Sequence, residues 1–274
     1  MEETKMLKRG MDGFQIKVLA LVLMLLDHIH YFFAFTGKVP LLFSQLGRLA
    51  GPLFMFIVVE GFIHTSNRKN YFKRIYLLSV LMGAVNYGIM CFGLVRGDGF
   101  FPMNNVFATF ALVMVFLQGI DWIKSKDYPR GVTALALPVV LNIVFYLLPP
   151  TWMSWFYVLE FIALPLPMFV EGGVFFVITG VLLYLLRSNR KLQVGVFAAF
   201  TLLWPCIMGL IMRGSLSLPF MILENYEWMG AFAAIFMLAY NGKRGRNAKR
   251  LFYVFYPTHV YLLYILSLMV YSVM

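Results

Sequence analysis

The sequence predicts an all-α polytopic transmembrane bundle, a single integral membrane domain over residues 1–274. Three observations predict it. Of the 274 residues, 61% are hydrophobic and 13% are charged, and too little polar surface remains to cover a soluble domain of this size. Apolar stretches of about 20 residues, the length that spans roughly 30 Å of hydrocarbon, recur from end to end. These stretches are continuous rather than alternating, and backbone groups in lipid must be satisfied internally, so helices are favoured over a barrel.

About nine spans (eight to ten) can be drawn. The first, 15–35, follows Lys5, Lys8 and Arg9 without a small-residue cleavage pattern and reads as a retained signal anchor. The second, 41–64, is followed by Arg68, Lys69, Lys73 and Arg74. The third and fourth, 75–94 and 104–123, lead to Lys124, Lys126 and Arg130. The fifth, 131–148, ends at Pro149-Pro150. The stretch Pro149–Leu164, with Trp152 and Trp155, then reads as an interfacial segment where aromatic rings suit the headgroup zone. The sixth, 164–186, precedes Arg187, Arg190 and Lys191, and the seventh covers 192–212. The eighth, 226–241, precedes Lys243, Arg244, Arg246, Lys249 and Arg250, and the ninth is 250–273.

Most of the 23 Lys and Arg residues thus fall in alternate connections on one side. Lys38, Arg96 and Arg213 lie in the others, and Arg48 lies within a span. By the positive-inside rule the N-terminus is cytoplasmic. The same placement accounts for the net charge of +11 without a nucleic-acid partner. Cys91 and Cys206 lie in apolar runs at no metal-binding spacing.

Ionisable residues inside spans mark functional sites by default, because each costs about 2.5–3.5 kcal/mol at the bilayer centre. The first span carries Asp27, His28 and His30, the second Arg48 and Glu60, the sixth Glu171 and the ninth His259. At about 1.5 Å of rise per residue, Asp27, His28, Arg48, Glu171 and His259 reach similar depths and are expected to share one polar cavity. Glu60 and His64 fall at the cytoplasmic end. Neighbouring residues on a helix point about 100° apart, so Asp27 pairs across to Arg48 and leaves His28 free for proton transfer, its tautomer set by another helix. The plain alternative is that Asp27 and Arg48 are structural glue. His259 follows Pro257, which removes a backbone hydrogen bond. The loop from His64 to Arg74 packs Arg68, Lys69, Lys73 and Arg74 with Tyr71 and Phe72, a mixture suited to phosphates and a stacked adenine.

These residues, in this order, resemble the TraX family of membrane proteins, named for the F-pilin N-acetylation protein of conjugation systems. The matching blocks are Leu26-Asp27-His28-Ile29, Gly47-Arg48-Leu49-Ala50-Gly51-Pro52-Leu53-Phe54, Val59-Glu60-Gly61-Phe62-Ile63-His64-Thr65 and Asn67-Arg68-Lys69. Further along come Glu171-Gly172-Gly173, Tyr240-Asn241-Gly242-Lys243 and Phe255-Tyr256-Pro257-Thr258-His259. The likeness spans nearly the whole chain, and is weakest in the third span and from about Arg96 to Leu164. It implies a multi-pass acetyltransferase of the inner, cytoplasmic membrane, with cytosolic acetyl-CoA as co-substrate and His28 as its catalytic histidine. The acceptor is an amine or hydroxyl, with a pilin N-terminus as precedent and a glycan or lipid headgroup as further classes.

The expected catalytic set is therefore His28, Asp27, Arg48, His259 and Glu171. Arg68, Lys69, Tyr71, Lys73 and Arg74 are expected on acetyl-CoA, and no metal is implied. The rival reading is a transporter or proton-coupled channel using Asp27, His28 and Arg48 as an ion relay. A third is an assembly scaffold whose buried polar residues only join helices.

Overall fold

A computed structural model describes residues 10–215, 219 and 224–274, with the side chains of residues 150, 249 and 250 outside the description. Lys5, Lys8 and Arg9 lie outside the described residues. All regular elements among the described residues are helical: α1 Gly13–Phe33, α2 Leu41–Gly47, α3 Ala50–His64, α4 Arg68–Cys91, α5 Val106–Lys124, α6 Tyr128–Leu147, α7 Pro150–Ile162, α8 Gly173–Leu185 and α9 Arg190–Arg213. A 3₁₀ helix, Tyr226–Phe232, runs into α10 Ala233–Leu238, and α11 is Lys249–Ser272.

Seven helical stretches are long and apolar enough to cross a membrane: α1 with its short extension, α2 with α3, α4, α5, α6, α9 and α11. The sixth and eighth expected spans correspond to shorter apolar helices, Gly173–Leu185 and Tyr226–Leu238. Large apolar side chains stand exposed along these helices, among them Val22, Leu81, Val140, Ile143 and Leu262. In a soluble protein such surface would be a liability; on a membrane helix it faces hydrocarbon.

The chain divides into two compact units. One contains the described residues up to Val58 together with Leu182–Leu263; the other contains Val59–Val181 and Tyr264–Met274. In the first, α1 packs on α2, and α9 packs on the 3₁₀ helix and α10 around a core that includes Ile16, Leu53, Phe56, Phe197 and Met237. In the second, α5 is the central element, packed against α4 and α6, with Leu112, Met114 and Leu117 fully enclosed.

Local chemistry explains the boundaries. Asp12 accepts from Gln15 N and Gln15 Oε1 accepts from Asp12 N, both at 2.9 Å, a reciprocal cap that starts α1. Asn67 and Asn189 cap α4 and α9 through Asn70 N and Leu192 N. The second span is one apolar run in sequence yet breaks at Arg48-Leu49. Pro52 has no N–H to return to the Arg48 carbonyl, so the turn tightens there, with Arg48 N on Gln45 O at 3.3 Å and Leu49 N on Leu46 O at 3.2 Å. Gly230 of the 3₁₀ helix approaches this break: a Cβ there would lie 3.2 Å from Arg48 O.

Candidate catalytic site

The first unit gathers two polar groups. One is a pair of histidines. His28 of α1 and His259 of α11, separated by 231 residues in sequence, meet through His28 Nδ1 and His259 Nε2 at 2.5 Å, with ring centroids 4.7 Å apart and ring planes inclined by 21°. Both are buried, His28 at 2% exposure and His259 at 5%. Phe32 and Tyr256 lie against the His28 ring, and Phe255 stacks on the His259 ring.

The tautomers follow from the partners. His259 Nδ1 lies 2.8 Å from the Phe255 carbonyl oxygen, which can only accept, so Nδ1 carries the proton. A neutral His259 then presents the Nε2 lone pair, and His28 Nδ1 must donate to it. The neutral His28 is left with the lone pair on Nε2, the form a general base needs. Pro257 sits two residues before His259 inside α11, in the helix segment that supplies the Phe255 carbonyl.

The second group surrounds Arg48, at the break between α2 and α3. Its Nη2 donates to Asp27 Oδ1 at 2.8 Å and to Ser44 Oγ at 3.2 Å, its Nη1 to Glu227 Oε1 at 2.8 Å, and its Nε to Ser44 O at 3.2 Å. Ser44 Oγ also donates to Asp27 Oδ1 at 2.9 Å and lies 3.2 Å from the Tyr226 hydroxyl. One cation is thus held between two carboxylates, and its guanidinium is largely committed to protein partners. Gly47 makes this approach possible, because a Cβ there would fall 2.3 Å from Asp27 Cβ.

The structure therefore brings His28 to His259 and Asp27 to Arg48, as their depths in the sequence predict. Glu171 is placed in the second unit, where Asn105 N donates to its carboxylate at 2.8 Å and Thr109 Oγ1 donates to its backbone carbonyl at 2.7 Å. Gly172 and Gly173 follow with φ of +75° and +54°. A side chain at Gly172 would also strike Phe176, so the turn beyond Glu171 requires glycine.

Ser44, Tyr226 and Glu227 were not legible as site residues. Glu227 stands at the edge of its apolar run, where a charge reads as a helix flank. Its one signal is position: an acid beside Trp228 at the start of a short apolar stretch.

The basic loop belongs to the second unit. Arg68 is engaged internally: Nη1 donates to Asp121 at 2.7 Å, Nε donates to Phe62 O at 3.3 Å, and the guanidinium lies over the Phe62 ring. Tyr71 packs where Gly61 leaves space. Lys69, Lys73 and Arg74 are exposed on the first turns of α4 and have no ion-pair partner among the described residues. His64 Nδ1 donates to the Glu60 carbonyl at 2.9 Å. No cluster of three His, Cys, Asp or Glu side chains able to hold a metal occurs among the described residues.

Comparison with known proteins adds one family and one relative. The family model described as TraX protein matches residues 12–267. A Dichelobacter nodosus protein described as "Probable fimbrial assembly protein FimC, serogroup H1" is 26% identical over 269 residues, covering 94% of this chain and 97% of that protein. No solved structure matches.

Proposed function

The chain belongs to the TraX family, and from that premise we propose that it is a membrane-embedded acetyltransferase that moves an acetyl group from acetyl-CoA to an acceptor amine. It sits in the inner membrane with about nine spans and a cytoplasmic N-terminus, the arrangement its basic connections favour. The acceptor in this reading is the N-terminus of a pilin-like subunit, which is compatible with the relative's description as a fimbrial assembly protein.

The observation that carries this reading is the tautomer chain from the Phe255 carbonyl through His259 to His28. His28 Nε2 takes the N–H proton as the acceptor nitrogen bonds to the thioester carbonyl carbon. When the tetrahedral intermediate collapses and the C–S bond breaks, His28 returns that proton to the departing CoA sulfur. His259 holds the His28 ring in the competent tautomer and shares its positive charge while the proton is aboard. The exposed Lys69, Lys73 and Arg74 supply charge-assisted donors for the phosphates of CoA, with Arg68 shaping the loop against Asp121. Asp27, Arg48 and Glu227 fix the broken second span beside the histidine helix.

The test is CoA release by the protein in lipid nanodiscs, given acetyl-CoA and a panel of amines and hydroxyl acceptors. Acceptor-dependent release in the wild type and none in His28→Ala is the expected result. Release retained in His28→Ala would move the base to His259.

A second reading, an ion relay, is favoured by the helix break at Arg48 and the charges gathered on it, since broken helices carry binding sites in transporters. Proton flux into proteoliposomes without acetyl-CoA, lost in Asp27→Asn, would establish it in place of acetyl transfer.

A further inference from the structure

A cavity of about 80 Å³ lies within the second unit, remote in sequence from the histidine pair and bounded by α4, α7 and the stretch leading into α8. Its polar wall consists of Ser79, Asn86, Asn105, Tyr157, Glu160 and Glu171. These groups are rich in acceptors, and the cavity lining includes no Lys or Arg. Glu160 is more than nine-tenths buried, at 8% exposure, and has no hydrogen-bond or ion-pair partner among the described residues. Asn105 uses its Nδ2 to donate to Ser79 O at 3.0 Å, which fixes the amide orientation and leaves Oδ1 buried without a donor. The Asn105 backbone N–H is spent on the Glu171 carboxylate. A buried carboxylate and a buried amide oxygen that both lack donors are each costly, and one ligand bearing several N–H groups would relieve both.

We propose that this cavity is a binding site for a small primary ammonium group, held by the Glu160 carboxylate with Asn105 Oδ1 as a second acceptor. An ammonium head offers three donors in a compact cation, matching a wall of carboxylate, amide and phenol oxygens. The volume accommodates a head group of a few heavy atoms, since one water needs only about 10–15 Å³ on the same scale. Phe161 and Phe169 line the same cavity, and aromatic residues are compatible with a cation there. Met103, exposed and also in the wall, marks where the rest of a longer amine leaves the pocket.

The titratable groups in the wall are Tyr157, Glu160 and Glu171. On α4, which packs on α7, Tyr76 donates to Ala163 O and the Tyr87 ring lies near Phe161. Burial pushes the Glu160 carboxyl up to about 7, and burial together with Glu160 raises Tyr157. Ammonium affinity therefore climbs as pH rises through about 7 and Glu160 ionises.

The experiment is calorimetric titration of the full chain in nanodiscs with ethylammonium, tetramethylammonium and sodium chlorides at matched ionic strength, from pH 5.5 to 8.5. Saturable ethylammonium binding that strengthens with pH, falls about tenfold or more in Glu160→Gln and persists in His28→Ala supports the site. Equal binding of tetramethylammonium, which has the charge but no N–H, overturns it. So does equal binding of sodium, undiminished binding in Glu160→Gln, or a wild type that binds nothing across the pH range. The wild-type pH series decides the matter even if Glu160→Gln fails to fold. Because His28 takes no part in binding, failure of acetyl transfer leaves this test intact.

Discussion

Asp27 and His28 are neighbours in sequence and opposites in environment. His28 and its partner His259 are 2% and 5% exposed and enclosed by aromatic rings. The side chains of Asp27, Arg48 and Glu227 are 21%, 25% and 35% exposed and form a charge cluster at a helix break. The roughly 100° between successive residues sends two costly side chains from one turn of α1 to two different partners. A neutral imidazole pair suits proton transfer in a dry setting, whereas a carboxylate–guanidinium–carboxylate row suits the fixing of backbone. On the proposed function, the difference separates chemistry from positioning within one unit of the protein.

The comparison breaks most sharply at His28. His28→Ala should cut CoA release about 10²- to 10⁴-fold, the usual contribution of a positioned base, with the variant still folded in detergent. An equal loss of stability would make His28 a packing residue.

Arg48→Met should do the reverse. It leaves Asp27 and Glu227 uncompensated, and a loss of about 3 kcal/mol is expected in denaturant unfolding. Neutralising all three groups together, as Asp27→Asn, Arg48→Met and Glu227→Gln, should recover part of that loss. No recovery would mean that the row is not held by charge balance.

His259→Phe keeps the ring and removes the acceptor for His28 Nδ1–H. Activity should fall about 10- to 100-fold, less than for His28→Ala, because the base remains with its preferred tautomer unfixed. The pH profile should shift along with the rate, and a change in rate alone would argue for packing.

Gly47→Ala is the smallest expected effect, about 1–3 kcal/mol of overpacking against Asp27. Loss of the Arg48 row should leave the histidine contact intact. Chemical shifts of labelled histidines check this, and a large perturbation there would show that the two groups act as one.

The helical class and the membrane character were legible because composition and run length leave no other solution. Asp27–Arg48 and His28–His259 were legible from depth, since a rise per residue converts sequence position into height. Height says nothing about bonding partners, and Glu171, at the same expected depth, is found holding Asn105 in the second unit. The break in the second span was invisible to hydropathy, although Pro52, four residues after Arg48, carries its cause. Glu160 escaped notice for a related reason. It lies in a stretch whose tryptophans read as interfacial, and burial of a carboxylate there depends on α4 packing against α7.

The sequence separation of 231 between His28 and His259 also sets a schedule for biogenesis. At about 5–20 residues per second, a ribosome that has made the first helix needs roughly 10–50 s more to deliver the last one. Until then His28 lacks its partner, and on the proposed function a partially inserted chain would run the reaction at the reduced rate expected of His259→Phe. On the proposed function, only completed membrane insertion gives the full rate, and a chain stalled before α11 carries the base without its partner.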